Sequence, residues 1–292
     1  MKIAISTDTS CTIPSELAKK LNIYVFPLNV IVNGEEFLDT VSINQEELRN
    51  HMLANKVIKT STPPPSSIIE YFEDIFSKGY DKVIHFTISS KLSSMNDLFN
   101  HISKENFNDN IIVVDSYSVS SLMLSHVLYA HEGLNRNLDV ESILKGIEER
   151  KNNNSIVFLP ENLTALKNGG RISPAIALLG NMIGLKPVLT LQDGKLDKDS
   201  MARNAKKVMS ERLEKLLKDF PLDKYDICIA DFGSNPQLIS QLISQIETSY
   251  PNYKTPIVPL AINVCAHCGP GTIGLVVSPK IFDKSLSDYL LN

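Results

Sequence analysis

A chain of 292 residues has room for two compact lobes or one large domain. Its 43% hydrophobic and 21% charged residues are those of a soluble globular protein, and a formal net charge of -4 gives no basic footprint for nucleic acid or an anionic membrane. Four cysteines in this length make no disulfide framework.

The opening "MKIAIST" turns polar too soon for the apolar core of a signal peptide, so a cytoplasmic protein is expected. "KIAISTDTS" predicts a strand that breaks into hydroxyls and an acid, as parallel strands do at a ligand crevice. A helix follows, with Pro14 in its first turn. "NIYVFPLNVIVNGEEF" then predicts a strand closed by an Asn33-Gly34 turn. "SSIIEYFEDIFSKGY" has the spacing of an amphipathic helix, and "DKVIHFTISS" and "NDNIIVVDSYSVS" predict two more strands ending in polar residues. This alternation implies a parallel α/β sheet whose polar strand ends, Ser6 to Ser10, Thr87 to Ser94 and Asp115 to Ser121, share one rim.

After the charged helix "VESILKGIEERKNNN" the character changes, which sets an approximate boundary between lobes 1–153 and 154–292. "SIVFLPENLTALKNGGRISPAIALLGNMIGLKPVLTLQDGKL" predicts a strand, a helix ended by Gly169 and Gly170, a short apolar helix, and a hairpin at Asp193-Gly194. Asn181, Lys186 and Pro187 interrupt its apolar stretch, so no membrane span is expected. The last third alternates helix ("NAKKVMSERLEKLLKDF"), strand ("YDICIADF"), helix ("NPQLISQLISQIETSY") and strand ("IGLVVS"). The expected fold is a two-lobed α/β protein, with a parallel-sheet N-terminal lobe, a second α/β lobe, and a ligand between them.

Several short stretches can carry chemistry. "KTSTPPPSS" suits a rigid loop presenting Thr60, Ser61 and Thr62, or else an ordinary helix start capped by Ser66 or a neighbour. "TISSKLSSM" sets four serines after a strand, where hydroxyls and backbone amides can hold a carboxylate or phosphate. In "NGGRISP", Arg171 follows paired glycines and can fork onto an anion or pack on a neighbour, whereas Arg203 of "MARNAKK" suits a solvated helical position. "AHCGPGTIG", directly preceded by Cys265, sets His267 between that cysteine and Cys268, before a helix-breaking turn. No second C-x-x-C or H-x-x-x-H completes a zinc tetrahedron, and a redox pair would open a helix.

Taken in order, "TDTS", "KTSTP", "SSKLSS", "VDSYSVS", "NGGRIS", "LKPVLTLQDG" and "AHCGPGTIG" resemble the DegV family along the whole chain. Ser94 and Met95 stand where that family usually has glycine and threonine. The resemblance implies a cytoplasmic carrier of the FakB type that is not itself an enzyme, needs no cofactor or metal, and encloses one long-chain fatty acid. It implies that Thr60, Ser61 and Ser93 hold the carboxylate, that Arg203 and His267 flank the head group, and that Arg171 belongs to the same signature. The implied partner is an ATP-dependent fatty acid kinase, which makes acyl phosphate on the carrier and feeds phospholipid synthesis, with transient membrane contact. The chain itself has no G-x-x-x-x-G-K-[ST] and no kinase signature set. Met123, Leu124, Ile176, Leu178, Leu179, Met182 and Ile183 are candidates for the lining. Two other readings stay open: a serine hydrolase using Ser93, His267 and Asp115, and a lipid-filled regulatory module.

Overall fold

The computed structural model of the chain describes residues 1–161, 163–172, 176 and 185–291. Its architecture is two-lobed α/β. Strand β1 (Ile3–Asp8), helix α1 (Ser15–Leu21) and strand β2 (Tyr24–Phe26) form the opening parallel unit. Pro27 then splits the apolar run that the sequence presents as one strand. The chain leaves the parallel sheet and continues as β3 (Asn29–Val32), β4 (Glu35–Leu38), helix α2 (Gln45–Leu53) and β5 (Ile58–Ser61). These three strands make a small antiparallel sheet in the order β4-β3-β5, its hairpin turned by Asn33 and Gly34, both at positive φ.

Helix α3 (Pro65–Ser77), strand β6 (Lys82–Thr87), helix α4 (Met95–Phe107), strand β7 (Ile111–Asp115), and helices α5 (Ser120–Asn135) and α6 (Val140–Lys151) complete the first lobe. Its main sheet is wholly parallel, in the order β2-β1-β6-β7. Ser66 does not cap α3. The helix begins at Pro65 behind a Pro64 N-cap, because proline presets the helical φ and has no amide to satisfy.

The second sheet has six strands: β8 (Ser155–Leu159), β9 (Lys186–Gln192), β10 (Lys195–Ala202), β11 (Tyr225–Phe232), β12 (Ile257–Pro259) and β13 (Thr272–Pro279). Their order is β10-β9-β8-β13-β11-β12, antiparallel except for the β11–β12 pair. The helices include α7 (Thr164–Asn168), α8 (Ala205–Asp219), α9 (Pro236–Ser249), α10 (Ile262–Cys268) and α11 (Leu286–Leu290).

Alternation along these strands builds two faces. Val157, Ile229 and Leu275 face outward beneath Leu213 of α8 and Leu242 of α9. Phe158, Ala230, Phe232 and Val276 face inward, into a core continuous with the first lobe. The sheets therefore change at Ser155, but the apolar core does not divide there. Helix α5 lies inside this shared core, against β1 on one side and β11 and β13 on the other. Arg150 of α6 fastens the junction, donating to the carbonyls of Pro279 (2.8 Å) and Lys280 (2.7 Å) and to Ser125 Oγ (3.2 Å).

Candidate functional site

The three polar strand ends meet at one rim, but their carboxylates serve the backbone. Asp8 accepts from the amides of Ser10 (2.8 Å) and Ile88 (2.9 Å), tying β1 to the turn after β6. Its carboxyl is fully buried and pushed up to about 6, because desolvation outweighs those hydrogen bonds. Asp115 accepts from the amides of Ser90 and Tyr117, each at 3.1 Å.

Beside this rim, bounded by β5, α10 and the inner face of the six-stranded sheet, lies an open-mouthed cavity. Its floor is hollow for a reason visible in the register. Gly274 of β13 pairs with Ala230 on one side and Phe158 on the other, so two adjacent positions have almost no side chain. Leu28, Ile88, Met95, Val119, Leu191 and Val276 supply apolar walls.

One end is polar. Thr60 and Ser61 on β5, Ser93 after β6, Arg171 after α7 and His267 on α10 all line the cavity. Thr60 Oγ1 and His267 Nε2 share a hydrogen bond of 3.0 Å. The turn Gly269-Pro270-Gly271 ends α10 one residue after the histidine; both glycines are at positive φ, and the chain passes into β13. Gly169 is equally specific: a Cβ there would lie 2.2 Å from His267 Nδ1. Arg171 donates through Nε to the Leu92 carbonyl (3.2 Å) and through Nη1 to the Gly169 carbonyl, bringing its charge beside Ser93. Burial, and then the Arg171 charge, push His267 down to about 4, so at neutral pH the ring carries one donor and one acceptor.

Ser61 is already engaged. Its hydroxyl donates to Glu36 Oε1 (3.0 Å), which also accepts from Asn29 Nδ2 (2.6 Å). The Asn29 bond, followed by that of Ser61, holds the Glu36 carboxyl below its usual range. Ser93 Oγ accepts from the Met95 amide at 3.4 Å. Ser94 has φ -79, a conformation open to any residue, so this turn does not require glycine; Met95 opens α4 and faces the cavity.

Other residues sit elsewhere. Arg203 is exposed, outside the lining, and makes no hydrogen bond or ion pair among the described residues. Met123 and Leu124 are packed core rather than lining, because α5 is buried all round; Ile176 is likewise buried core outside the lining. Leu178, Leu179, Met182 and Ile183 lie outside the described residues. Ser93, His267 and Asp115 are not linked as a triad: His267 bonds Thr60, and Asp115 holds backbone amides.

The cysteines are buried free thiols, and burial pushes Cys268 up to about 12 and Cys265 well above its usual value. Among the described residues no group of three or more His, Cys, Asp or Glu side chains could hold a metal ion. None of the described helices is long and apolar enough to cross a membrane. The start of α10 is docked onto the first lobe. Asn263 donates through Nδ2 to Ser10 Oγ (2.7 Å) and through its amide to Asp39 Oδ2 (3.3 Å), while Gln45 Nε2 donates to the Leu260 and Asp231 carbonyls. Asn29, Glu36 and Asn263 are absent from the residues singled out in the sequence. Their pairing depends on strand register and interlobe docking, which no local motif encodes.

The profile described as "Uncharacterised protein, DegV family" matches residues 2–280. A DegV domain-containing protein of Staphylococcus aureus is 26% identical over 287 residues, covering 96% of this chain and 99% of that one. A fatty-acid-binding DegV family protein from Thermus thermophilus superposes with a TM-score of 0.85 at 26% identity, covering 96% of this chain and 100% of the other. A DegV lipid-binding protein from Thermotoga maritima superposes with a TM-score of 0.80, also at 26% identity, covering 96% and 99%. By this match over nearly its whole length, the chain belongs to the DegV family.

Proposed function

We propose that this protein is a carrier of one long-chain fatty acid, of the FakB type, that offers the bound carboxylate to a separate ATP-dependent fatty acid kinase. The carrying observation is the shape of the cavity: apolar walls over a hollow floor of Gly274 and Ala230, with Thr60, Ser93, Arg171 and His267 gathered at one end. The fatty-acid-binding relative from Thermus thermophilus supports the same ligand.

Burying about sixteen methylenes at about 0.8 kcal/mol each gives a nominal driving force above ~10 kcal/mol, from which ordering costs of several kcal/mol are subtracted. The tail provides affinity and the polar end fixes position. A carboxylate there needs hydrogen-bond donors, and Ser93 together with one member of the bonded Thr60–His267 pair can provide them without a buried ion pair. Ser61 can join only by releasing Glu36. Arg171 supplies charge where a phosphoryl group would arrive, and exposed Arg203 is assigned to kinase docking. The chain itself catalyses nothing in this reading; it works in the cytoplasm, meets membranes transiently, and its product feeds phospholipid synthesis.

The test is acyl-phosphate formation from loaded carrier, ATP and a fatty acid kinase, with hydroxylamine trapping the product. Formation that requires both proteins supports the partnership. Binding of lipid with no transfer to any such kinase would point to a lipid-filled regulatory module. Covalent labelling of Ser93 by a fluorophosphonate would replace the carrier reading with the hydrolase.

A further inference from the structure

The cavity has a second polar feature, remote from His267. Val119 and Ser120, at the start of α5, both line it. Ser120 is 2% exposed, and its Oγ has no hydrogen-bond partner among the described residues. Val119 is the N-cap and offers no side-chain acceptor, so no side chain caps the first turn of this 16-residue helix. Ser120 has φ +59, a left-handed conformation uncommon for a residue other than glycine. Ser121 Oγ accepts from the Cys228 thiol (2.8 Å) and Ser125 Oγ donates to the Leu122 carbonyl (2.9 Å); Ser118 Oγ is also unpaired but lies outside the cavity lining.

The strand register places this feature along the cavity. Thr272 lies beside the histidine turn, donating to the carbonyls of Cys268 and Gly269, whereas Cys228, which holds Ser121, pairs with Val276. Val276 lies four steps along the strand from Thr272, about 13 Å. A ligand whose carboxylate is at His267 therefore passes Ser120 with the second half of its chain. Against plain methylenes the Ser120 hydroxyl stays unpaired, which is unfavourable for a buried polar group; an oxygen on the chain would pair it.

We propose that Ser120 and the uncapped first turn of α5 form a subsite for an oxygen substituent in the second half of the acyl chain, so that the preferred ligands are hydroxylated long-chain fatty acids. This rests on the fatty-acid reading above and extends it to ligand class.

The test compares ricinoleic with oleic acid, which differ by one such hydroxyl, by direct titration of lipid-free protein. The wild type is expected to favour ricinoleic acid by about fivefold or more, the worth of roughly one buried hydrogen bond. Ser120→Ala should remove that preference. Ser120→Gly should do the same while suiting the left-handed backbone, which guards against misfolding of the first variant. Equal binding of both acids by the wild type, or a preference that survives both substitutions, overturns the subsite and leaves the carrier intact. Failure of both acids to bind overturns the subsite and the carrier reading together.

Discussion

Thr60 Oγ1 lies 3.0 Å from His267 Nε2, so a hydroxyl on the edge strand of the small sheet is bonded to an imidazole 207 residues later in the chain. This bond joins the two lobes at the polar end of the cavity. His267→Ala removes it and deprives Thr60 of the partner that orients its hydroxyl at the polar end. Fatty acid affinity should drop about fivefold, the effect of roughly one hydrogen bond, and kinase-dependent acyl phosphate should fall further. Unchanged transfer in this variant, measured with hydroxylamine, would remove His267 from the head-group machinery.

Arg203 separates docking from binding. It is exposed and outside the lining, so Arg203→Ala should leave fatty acid affinity within about twofold while lowering acyl-phosphate formation. A large loss of binding by titration would place Arg203 against the lipid.

Gly169 controls His267 without being part of the lining. A Cβ there would lie 2.2 Å from Nδ1, so Gly169→Ala must displace the ring. It should cost about 1–3 kcal/mol in thermal unfolding, as overpacking does, and should reproduce the transfer defect of His267→Ala. Wild-type transfer in a crystal-verified Gly169→Ala protein would contradict this role.

Gly274 sets the room for the tail. A Cβ there would make ordinary contacts, 3.4 Å to Phe158 Cβ and 3.6 Å to Ala230 Cβ, so Gly274→Ala should fold normally. Gly274→Leu should fill the floor and shift the co-purified lipid toward shorter chains. Mass spectrometry of the extract reads this directly; an unchanged chain-length profile would mean that the tail does not cross β13.

Buried groups give opposing pH dependences. Asp39 is pushed up to about 7, chiefly by desolvation and then against hydrogen bonds from Thr9 and Asn263. The folded chain therefore holds a proton that the unfolded chain releases above 3.8, and stability from this group falls as pH rises from that value to about 7. His267, lowered from 6.5 to about 4, acts oppositely: its contribution is lost as pH falls between those values. Asp39→Asn should thus flatten the decline in unfolding free energy between about pH 4 and pH 7, measured by urea titration. An identical decline in the variant would assign the slope to other groups.

The parallel sheet was legible because β1, β6 and β7 each show an apolar run that ends in hydroxyls or an acid. Helix α5 was not, because a helix buried on every side lacks a polar face and its period disappears. Strand β5 was hidden among hydroxyls and prolines: it is a four-residue edge strand whose pairing with β3 only the register reveals. The motifs around Thr60, Ser93, Arg171 and His267 did identify residues that share one cavity. Their order in sequence could not show that Ser61 turns to Glu36, nor that Arg203 stands apart.

The most direct measurement is denaturing solvent extraction of the purified protein, followed by mass spectrometry and quantification of the extract. The carrier account predicts about one equivalent of long-chain fatty acid per chain, or stoichiometric uptake of added fatty acid by emptied protein. An empty protein that refuses added fatty acid would contradict it.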